Sequence, residues 1–357
     1  MSCDSSLERI QEKALDGGRV TAAEALALYQ ALPLAELGAL ADAVRRRLHP
    51  QRIVTYIVDR NINYTNVCDV FCTFCAFMRT EQDADAYVLT PEQVGAKLQE
   101  LVDHGGVQVL LQGGHHPKLG LDYYLDLLRY IHQRFPQVNV HGFSPPEFCH
   151  FARVFGLPLA EVIRRFREAG LGSIPGGGAE ILVDRVRDRV SPKKCTAAEW
   201  LGVMETAHGL ELNSSATMMF GHVETVEDRL EHLEKLRALQ DRTHGFTAFI
   251  CWTFQPEHTR LRGAGVGAHE YLRTQALARI FLDNFPNVQS SWVTQGPQIG
   301  QVALQFGAND FGSVMMEENV VSAAGTTHRL NEATIQRLIR ETGCEPHRRN
   351  NWYQLLN

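Results

Sequence analysis

The sequence predicts an α/β protein built around a closed (β/α)8 barrel of the TIM type, and three observations lead to this prediction. A chain of 357 residues suits one large barrel with terminal additions. From Arg52 onward, short β-rich runs alternate with amphipathic helical stretches, as parallel strands covered by helices do. Polar and glycine-rich segments follow several strand candidates, as expected if the strand ends share one site. A doubly wound open sheet is the alternative.

The chain divides into three predicted parts. Residues 1–50 form an N-terminal helical extension, with Thr21 as a helix N-cap. Residues 51–312 form the barrel, and residues 313–357 form a C-terminal helical segment that packs on it. The strand candidates are 53–59, 107–112, 138–143, 172–175, 213–220, 246–254, 288–294 and 306–311. The helix candidates between them are 91–104, 123–135, 159–169, 197–210, 226–243 and 268–284.

Composition excludes several classes of function. The formal net charge is −6 and no long basic run interrupts it, so we expect no nucleic-acid partner. The longest apolar runs have the length of strands, and the N-terminus lacks the pattern of a signal peptide. We therefore expect a cytoplasmic protein without a membrane partner. Eight cysteines in a reducing compartment point to metal binding or catalysis before disulfides.

Three of the cysteines lie close together in a loop after the first strand. Cys68, Cys72 and Cys75 have the spacing C-x3-C-x2-C, and thiolates are the ligands that iron–sulfur clusters require. Three thiolates hold three irons of a [4Fe-4S] cluster and leave the fourth open. In a radical S-adenosylmethionine (SAM) enzyme, the amino and carboxylate groups of SAM bind that iron. The spacing therefore predicts a [4Fe-4S] cluster with SAM as its second cofactor.

Three rival interpretations of the cysteines remain, and the first is that they are unrelated core cysteines, although three within eight residues are unexpected by chance. A structural zinc site needs four ligands, and His104, His115 and His116 are available, but none of them has a familiar spacing from the cysteines. A non-catalytic iron–sulfur electron carrier is the third, although it needs neither an open iron nor a barrel that accommodates SAM. A test for SAM cleavage separates this carrier from an enzyme.

Motifs along most of the chain resemble the dehypoxanthine futalosine cyclases, radical SAM enzymes of the futalosine route to menaquinone. The matching strings include DRNINYTNVCDVFCTFCAF, LLQGG, SIPGGGAEILVDRVR, ATMMFGHVET, FTAFICWTFQPEHT and SSWVTQGPQIGQVALQFGANDFGS. The resemblance covers about residues 50 to 350 and implies a radical SAM barrel. It also implies a small-molecule substrate, dehypoxanthine futalosine, and an external one-electron donor such as flavodoxin or ferredoxin. Aminofutalosine synthase and the FO-synthase-type enzymes are the alternatives within the superfamily.

The resemblance implies a specific reaction. A 5′-deoxyadenosyl radical made from SAM removes hydrogen from C4′ of the substrate ribose. The resulting carbon radical closes onto the substrate's aromatic ring, and loss of an electron and a proton restores aromaticity. The products are a spirocyclic compound, methionine and 5′-deoxyadenosine.

Candidate SAM-binding residues follow the strands. They are Phe74, Gln112, Gly113, Gly114, Ser144, Glu180 and Arg185. The resemblance implies that Phe74 lies against the adenine and that the Gln112 loop holds the methionine moiety. Glu180 can accept hydrogen bonds from the ribose hydroxyls, as carboxylates do for nucleotides. Asp184 and Arg187 are interpreted as part of a solvated helix face.

The substrate needs a wall for its aryl ring, partners for its hydroxyls and a partner for its carboxylate. Trp252 is the candidate for the wall. Gln255 follows the strand candidate 246–254, and Asn309 and Asp310 lie near the end of the candidate 306–311; all three could reach the hydroxyls. His222 and His116 are the candidates for meeting the carboxylate or taking the proton, since histidine titrates near neutral pH.

Overall fold

The computed structural model describes residues 3–263 and 265–356, with side chains from residue 6 onward. The strands of this part are β1 Ile53–Ile57, β2 Asp59–Asn63, β3 Gln108–Gln112, β4 Asn139–Gly142, β5 Ser214–Phe220, β6 Phe246–Thr253, β7 Asn287–Gln289, β8 Asp310–Ser313 and β9 Glu345–Arg348. The helices are α1 Cys3–Leu15, α2 Ala22–Ala31, α3 Leu34–Leu48, α4 Pro91–Asp103, α5 Leu121–Arg134, α6 Pro145–Phe155, α7 Leu159–Ala169, α8 Asp184–Val190, α9 Ala197–Gly209, α10 Val226–Thr243, α11 Ala268–Phe281, α12 Trp292–Gln295, α13 Pro297–Val302 and α14 Glu332–Glu341.

The strands form a ring, which confirms the barrel and excludes the open sheet. β1 and β2 are separated only by Val58 and act as one bent strand; β1 pairs with β8, and β2 pairs with β3. β3 pairs with β4, and β5 through β8 pair in sequence. Single bridges at Ser173 and Ile174 connect β4 to β5 and so occupy the fourth position. All of these strand pairs are parallel, so the carboxyl ends of the strands meet at one end of the barrel.

Two strand predictions near the C-terminus are wrong in their bounds. The seventh strand stops at Gln289, because the chain turns into α12 immediately afterwards. The eighth was expected at 306–311, but β8 begins only at Asp310, because a 3-10 turn at Ala303–Gln305 and a left-handed Gly307 (φ 93°) occupy the preceding residues. This shift of about one strand length changes which residues lie at the carboxyl end.

The C-terminal part contains α14 and also a strand that the sequence does not reveal. β9 pairs in parallel with β1 along the edge that β3 does not reach. Its sequence, Glu-Pro-His-Arg, has no apolar alternation, so strand patterns give no signal there. The chain then turns under the barrel, where Arg349, Asn351 and Tyr353 line the interior. The C-terminal residues thereby close the amino end of the barrel.

Residues 3–50 contain the helices α1 to α3, as the helical pattern predicts, and α2 and α3 pack against the barrel helices α10 and α11. Thr21 caps α2 through a capping box with Glu24. Gly38 of α3 lies directly against the Phe306 ring, where a Cβ would come within 2.5 Å of a ring carbon. A larger side chain at Gly38 would therefore push α3 away from the barrel. None of the helices in the described ranges is both long and apolar enough to cross a bilayer.

Candidate active site

The cysteine loop follows β2 at the carboxyl end of the barrel. Cys72 is buried, whereas Cys68 and Cys75 are half-buried, and all three are free thiols. The loop is anchored by backbone hydrogen bonds from Cys68 to Arg79 (2.9 Å) and from Thr73 to Val190 (2.9 Å). Burial raises the pKa of the Cys72 thiol to about 12, and Lys194 acts in the opposite direction. A cationic centre bound to the sulfur would therefore be needed to hold it as a thiolate.

The arrangement of the three sulfurs does not fit a single zinc ion. Zn–S bonds of about 2.3 Å place zinc thiolates about 3.8 Å apart. Within the described residues, the only three ligand atoms that all lie within 4.8 Å of one another belong to Asp69, His115 and His150. Both ring nitrogens of His150 are already engaged, by the His116 carbonyl and by Arg153. The sulfurs of Cys68, Cys72 and Cys75 therefore do not all lie within 4.8 Å of one another.

Glu180 is a buried carboxylate with one oxygen unused. Its Oε1 accepts a hydrogen bond from Lys194 Nζ at 2.8 Å. No described residue donates a hydrogen bond to Oε2, although Arg187 Nη1 lies 3.8 Å away. The Glu180 backbone is left-handed (φ 41°), a conformation that costs free energy for any residue except glycine and is found at functional sites. An unpaired buried oxygen of this kind is suited to accept a ligand hydroxyl.

Lys194 connects Glu180 with the cysteine loop. Its Nζ lies 5.1 Å from the centre of the Phe74 ring. Burial alone would lower the pKa of Lys194, but the charges of Cys72 and Glu180 outweigh burial and raise that pKa above its usual value. Lys194 therefore remains protonated, and its charge lies between the cysteine loop and the Glu180 carboxylate. Sequence reasoning did not identify this residue, because a lysine in a Ser-Pro-Lys-Lys loop has the pattern of an exposed turn.

The Gln112 loop requires its glycines for steric reasons. A Cβ on Gly114 would come 2.1 Å from the Val67 carbonyl oxygen, and one on Gly113 would come 2.5 Å from the Tyr64 ring. The loop is also fixed by Glu147, whose Oε1 accepts hydrogen bonds from Gly113 N (3.1 Å) and Tyr64 Oη (2.7 Å). These contacts hold the loop next to the residues that precede Cys68.

Ser144 is the N-cap of α6, and its backbone N and its hydroxyl are engaged in capping that helix. Its backbone N and its Oγ both lie 2.7 Å from Glu147 Oε2 in a capping box. Burial raises the pKa of Glu147, while these donors act against the rise. The Ser144 hydroxyl therefore positions α6 and Glu147.

Arg185 and Arg187 of α8 exchange their expected environments. Arg187 was interpreted as solvated, and this is wrong: the residue is 2% exposed and donates hydrogen bonds to the carbonyls of Ala179 (2.6 Å) and Cys195 (2.6 Å). Arg185 was expected at SAM, but its side chain is 57% exposed and pairs with Asp228. Because 3.6 residues make one turn, these positions face different sides of the helix. Arg187 is therefore the arginine that supports the Glu180 loop.

A cavity of about 300 Å³ lies inside the barrel beneath these loops. Gln112 and Gly177 line its upper part, Trp252 and Ile250 form an apolar wall, and the C-terminal residues close its floor. Its other polar lining residues include Asp59, Asn61, Gln108, His141, Ser215, Thr217, Gln289 and Arg349. The cavity thus offers an apolar wall and hydrogen-bonding groups, as binding sites for small molecules do.

The polar strand at this cavity has a sequence signal that was missed. Asp59, Asn61 and Asn63 alternate along β2, and this period of two places them on one face of the strand. Asp59 accepts hydrogen bonds from Gln108 Nε2 (3.1 Å) and from the Ser313 hydroxyl. Burial raises the pKa of Asp59 despite these donors. Polar residues at alternate positions of a barrel strand indicate a wet interior, and this signal could have located the cavity.

Trp252 and Gln255 both lie at the carboxyl end of β6. Trp252 lines the cavity, as its predicted role requires. Gln255 is half-buried, and its Nε2 donates to the Thr253 carbonyl and hydroxyl, each at 3.1 Å. Gln255 is not among the described residues that line the cavity.

The placement of Asn309 and Asp310 at the carboxyl end is wrong. Because β8 begins at Asp310, both residues lie at its amino end, opposite the cysteine loop. Asp310 accepts hydrogen bonds from Thr55 Oγ1 (2.6 Å) and Arg349 Nη2 (3.0 Å). Asn309 Oδ1 accepts from Arg279 Nη2 (2.6 Å). These residues stabilise the floor of the barrel and do not face the predicted site.

The two candidate histidines have their rings engaged within the protein. The His222 side chain is fully buried; Nε2 bonds to the Met219 carbonyl (3.0 Å), and Nδ1 accepts from Val223 N (2.7 Å). Burial lowers the pKa of His222, although Glu224 opposes the change. His116 accepts from Lys118 N through Nδ1 (3.1 Å), and burial lowers its pKa too. Neither histidine is among the described residues that line the cavity.

Two protein families together match almost the whole chain. Residues 62–236 match the radical SAM superfamily, and residues 243–357 match the CofH/MqnC C-terminal region. The chain is 46% identical to cyclic dehypoxanthine futalosine synthase of Halalkalibacterium halodurans, over 98% of this chain and 95% of that protein. It is 39% identical to aminodeoxyfutalosine synthase of Thermus thermophilus, over 98% and 96% of the two chains.

Comparison with solved structures supports the fold. The structure superposes on the crystal structure of methylornithine synthase with a TM-score of 0.74 and 16% identity. The match covers 94% of this chain and 97% of that one. At this identity the similarity establishes the barrel and its terminal additions alone.

Proposed function

Because the chain belongs to the radical SAM family that includes the cyclic dehypoxanthine futalosine synthases, we propose that it cyclises dehypoxanthine futalosine. The protein is a radical SAM enzyme of the futalosine pathway to menaquinone. One observation carries the proposal for the site: the cysteine loop, the Gln112 loop and Glu180 converge at the carboxyl end of a barrel whose interior contains a cavity. The higher identity to the cyclase than to aminodeoxyfutalosine synthase favours cyclisation.

Cys68, Cys72 and Cys75 are proposed to hold the [4Fe-4S] cluster, since they are free thiols in one loop of the part of the chain that matches the radical SAM superfamily. When bound, the cluster supplies the electron that cleaves SAM and so generates the radical for hydrogen abstraction. Glu180 Oε2 is proposed to accept a ribose hydroxyl of SAM, because it is buried and otherwise unpaired. Lys194 orients Glu180 through its hydrogen bond to Oε1, and the Phe74 ring supplies an apolar surface beside Lys194.

The cavity is proposed to bind the substrate. Trp252 and Ile250 would contact the aryl ring, and the amide and hydroxyl groups around them would bind the ribose. Asp59 on β2 and His141 on β4 are titratable residues that line this cavity. A low-potential cluster also requires a reducing compartment, so the proposed location is the cytoplasm.

The proposal is tested with reconstituted, dithionite-reduced protein under anaerobic conditions. The protein is mixed with SAM and dehypoxanthine futalosine, and the products are identified by mass spectrometry. We expect a product two hydrogens lighter than the substrate, formed with an equal amount of 5′-deoxyadenosine. Deoxyadenosine without that product would redirect the assignment to the related synthases. Absence of both from protein with an intact cluster would contradict the enzyme assignment at this site.

A further inference from the structure

A mixed apolar and basic patch lies on the outer side of the cysteine loop. Phe71, the residue before Cys72, is 36% exposed and has a left-handed backbone (φ 58°). Val154 of α6 is 40% exposed and lines the same shallow pocket as Phe71. A strained backbone that presents an aromatic ring to solvent is unfavourable unless the ring has a partner or a function.

The charges around Phe71 are cationic. Lys193 Nζ lies 4.8 Å from the centre of the Phe71 ring, and exposed Arg153 lines the adjoining pocket. Arg260 donates hydrogen bonds to the carbonyl oxygens of Phe71 and Cys72. We call Phe71, Arg153, Val154 and Lys193 the cysteine-loop patch.

The charge of the cysteine-loop patch is opposite in sign to the net charge of the chain. The chain as a whole has a formal net charge of −6, so its long-range field repels an acidic protein. Asp69 is the acidic group beside the patch, and it is half-buried, with its carbonyl 3.4 Å from Lys193 Nζ. Lys118, on the neighbouring loop, pairs with Glu81 and so contributes little net charge. A local basic surface on an acidic protein selects for a partner with a complementary acidic surface.

The position of the patch specifies the kind of partner. Cys72 is only 6% exposed, so an external reductant cannot touch its sulfur directly. Phe71 is the chain neighbour of Cys72 and is 36% exposed, so it connects the protein surface with the backbone of that cysteine. A partner that docks here comes close to the metal centre without entering the cavity.

We propose that the cysteine-loop patch docks the acidic face of a small one-electron carrier protein. In each encounter the carrier loses one electron and the centre held by the cysteines gains it, with no bond formed or broken. Phe71 and Val154 supply the apolar middle of the contact, and Arg153 and Lys193 supply its charged rim. This inference rests on the proposed function only for the electron transfer; the docking is measured separately.

The test uses a bacterial flavodoxin as the probe and a double charge reversal, Arg153→Glu with Lys193→Glu. The Kd of fluorescently labelled flavodoxin is measured for the reconstituted full-length protein at about 0.05 M and about 0.5 M salt. The matched control is Arg129→Glu with Arg134→Glu on α5, which changes the net charge equally outside the patch. We expect the patch variant to raise Kd at least tenfold at low salt, the control to change it less than threefold, and the difference to shrink at high salt.

A second readout separates the docking from the chemistry. Stopped-flow absorbance follows cluster reduction by flavodoxin hydroquinone, and SAM cleavage driven by dithionite is measured in parallel. The patch variant should slow the reduction by flavodoxin and keep dithionite-driven cleavage, since dithionite needs no docking surface. Equal Kd values and equal reduction rates for patch and control variants would overturn the proposal. Failure of dithionite-driven cleavage in the unmodified protein would count against the proposed function and leave the Kd test of docking intact.

Discussion

Both ends of the barrel bury charged groups, but the hydrogen bonding of these groups differs. At the amino end, Asp310 is paired with both Thr55 and Arg349, and Arg279 is held by Asn309 and backbone carbonyls. At the carboxyl end, Glu180 is equally buried, yet one of its oxygens has no donor within the described chain. The cysteine thiols on the same side are also free.

This difference distinguishes buried polar groups that stabilise the fold from buried polar groups that are available to bind a ligand. A buried group that is fully paired stabilises the fold, because any change leaves a partner unsatisfied. A buried group with an unused atom costs free energy in the protein alone, and at a binding site a ligand can supply the missing partner. The predictions below test whether the two ends behave according to this distinction.

The largest effect is expected at the cysteine loop. Cys72→Ala removes a buried thiol, so the protein should lose the cluster and all SAM cleavage. Iron and sulfide content and the visible absorbance of reconstituted protein measure the loss. The control is Cys344→Ala, a half-buried free cysteine of the C-terminal segment, which should keep both. A Cys72→Ala protein with full turnover would refute the ligand assignment.

At the opposite end, Asp310→Ala should reduce stability and leave SAM binding unchanged. The change leaves the buried Arg349 charge unpaired, which should lower the free energy of unfolding by about 3–5 kcal/mol in denaturant titrations. The control Asp126→Ala removes an exposed pair with Arg129 and should cost about 0–1 kcal/mol. If Asp310→Ala kept full stability and lost substrate affinity, the original substrate-binding prediction would be reinstated.

Glu180→Gln should have the opposite effect. It should weaken the binding of SAM more than it lowers the free energy of unfolding. Replacing the carboxylate removes a charge-assisted hydrogen bond of about 1.5–3 kcal/mol, which corresponds to an increase of about 10- to 100-fold in the Kd of SAM. Isothermal titration with reconstituted protein measures this Kd. Glu199→Gln, in an exposed capping box of α9, serves as the control and should leave Kd unchanged. Unchanged SAM affinity in Glu180→Gln would remove the ribose role.

The smallest effect is expected for the pH dependence of the unfolding free energy, through His141 in the interior of the barrel. Burial, and secondarily Arg349, lowers the pKa of His141 to about 3, whereas an unfolded histidine titrates near pH 6.5. Between these values the unfolded state binds more protons, so the stabilising contribution is complete above about pH 6.5 and is lost as pH falls toward 3.

His141→Gln should remove this term, which amounts to at most about 1.4 kcal/mol for each pH unit below 6.5. Unfolding free energies at about pH 7 and pH 5.5 measure the slope for the two proteins. His269→Gln at an exposed position should keep the slope of the unmodified protein. A slope unchanged by His141→Gln would show that the histidine binds protons equally in the folded and unfolded states, which contradicts a lowered pKa in the barrel.

The sequence predicted the regular parts of the molecule well, because periodic burial is visible in a single chain. α7 and α10 have the predicted bounds, and Thr21 and Thr90 cap their helices with capping boxes. The barrel closure followed from strand–helix alternation. The predicted division into three parts, the ligand role of the cysteines and the other site roles remain predictions.

The parts that sequence reasoning missed depend on distant contacts. β9 lacks an apolar pattern and forms only because β1 offers an unpaired edge. Arg187 and Lys194 occur in polar segments, and only tertiary packing buries them against the Glu180 loop. Asn309 and Asp310 were misplaced because the start of β8 depends on the turn around Gly307, which strand propensity does not register.

The carboxyl end of the barrel is proposed to hold a three-cysteine cluster with one iron open to SAM. Electron–nuclear double resonance of the reduced, reconstituted protein with SAM labelled with oxygen-17 in its carboxylate tests this claim most directly. We predict a resolved oxygen-17 coupling to the cluster, which requires direct iron–carboxylate contact. An intact, reducible cluster that binds SAM without such a coupling would contradict the account.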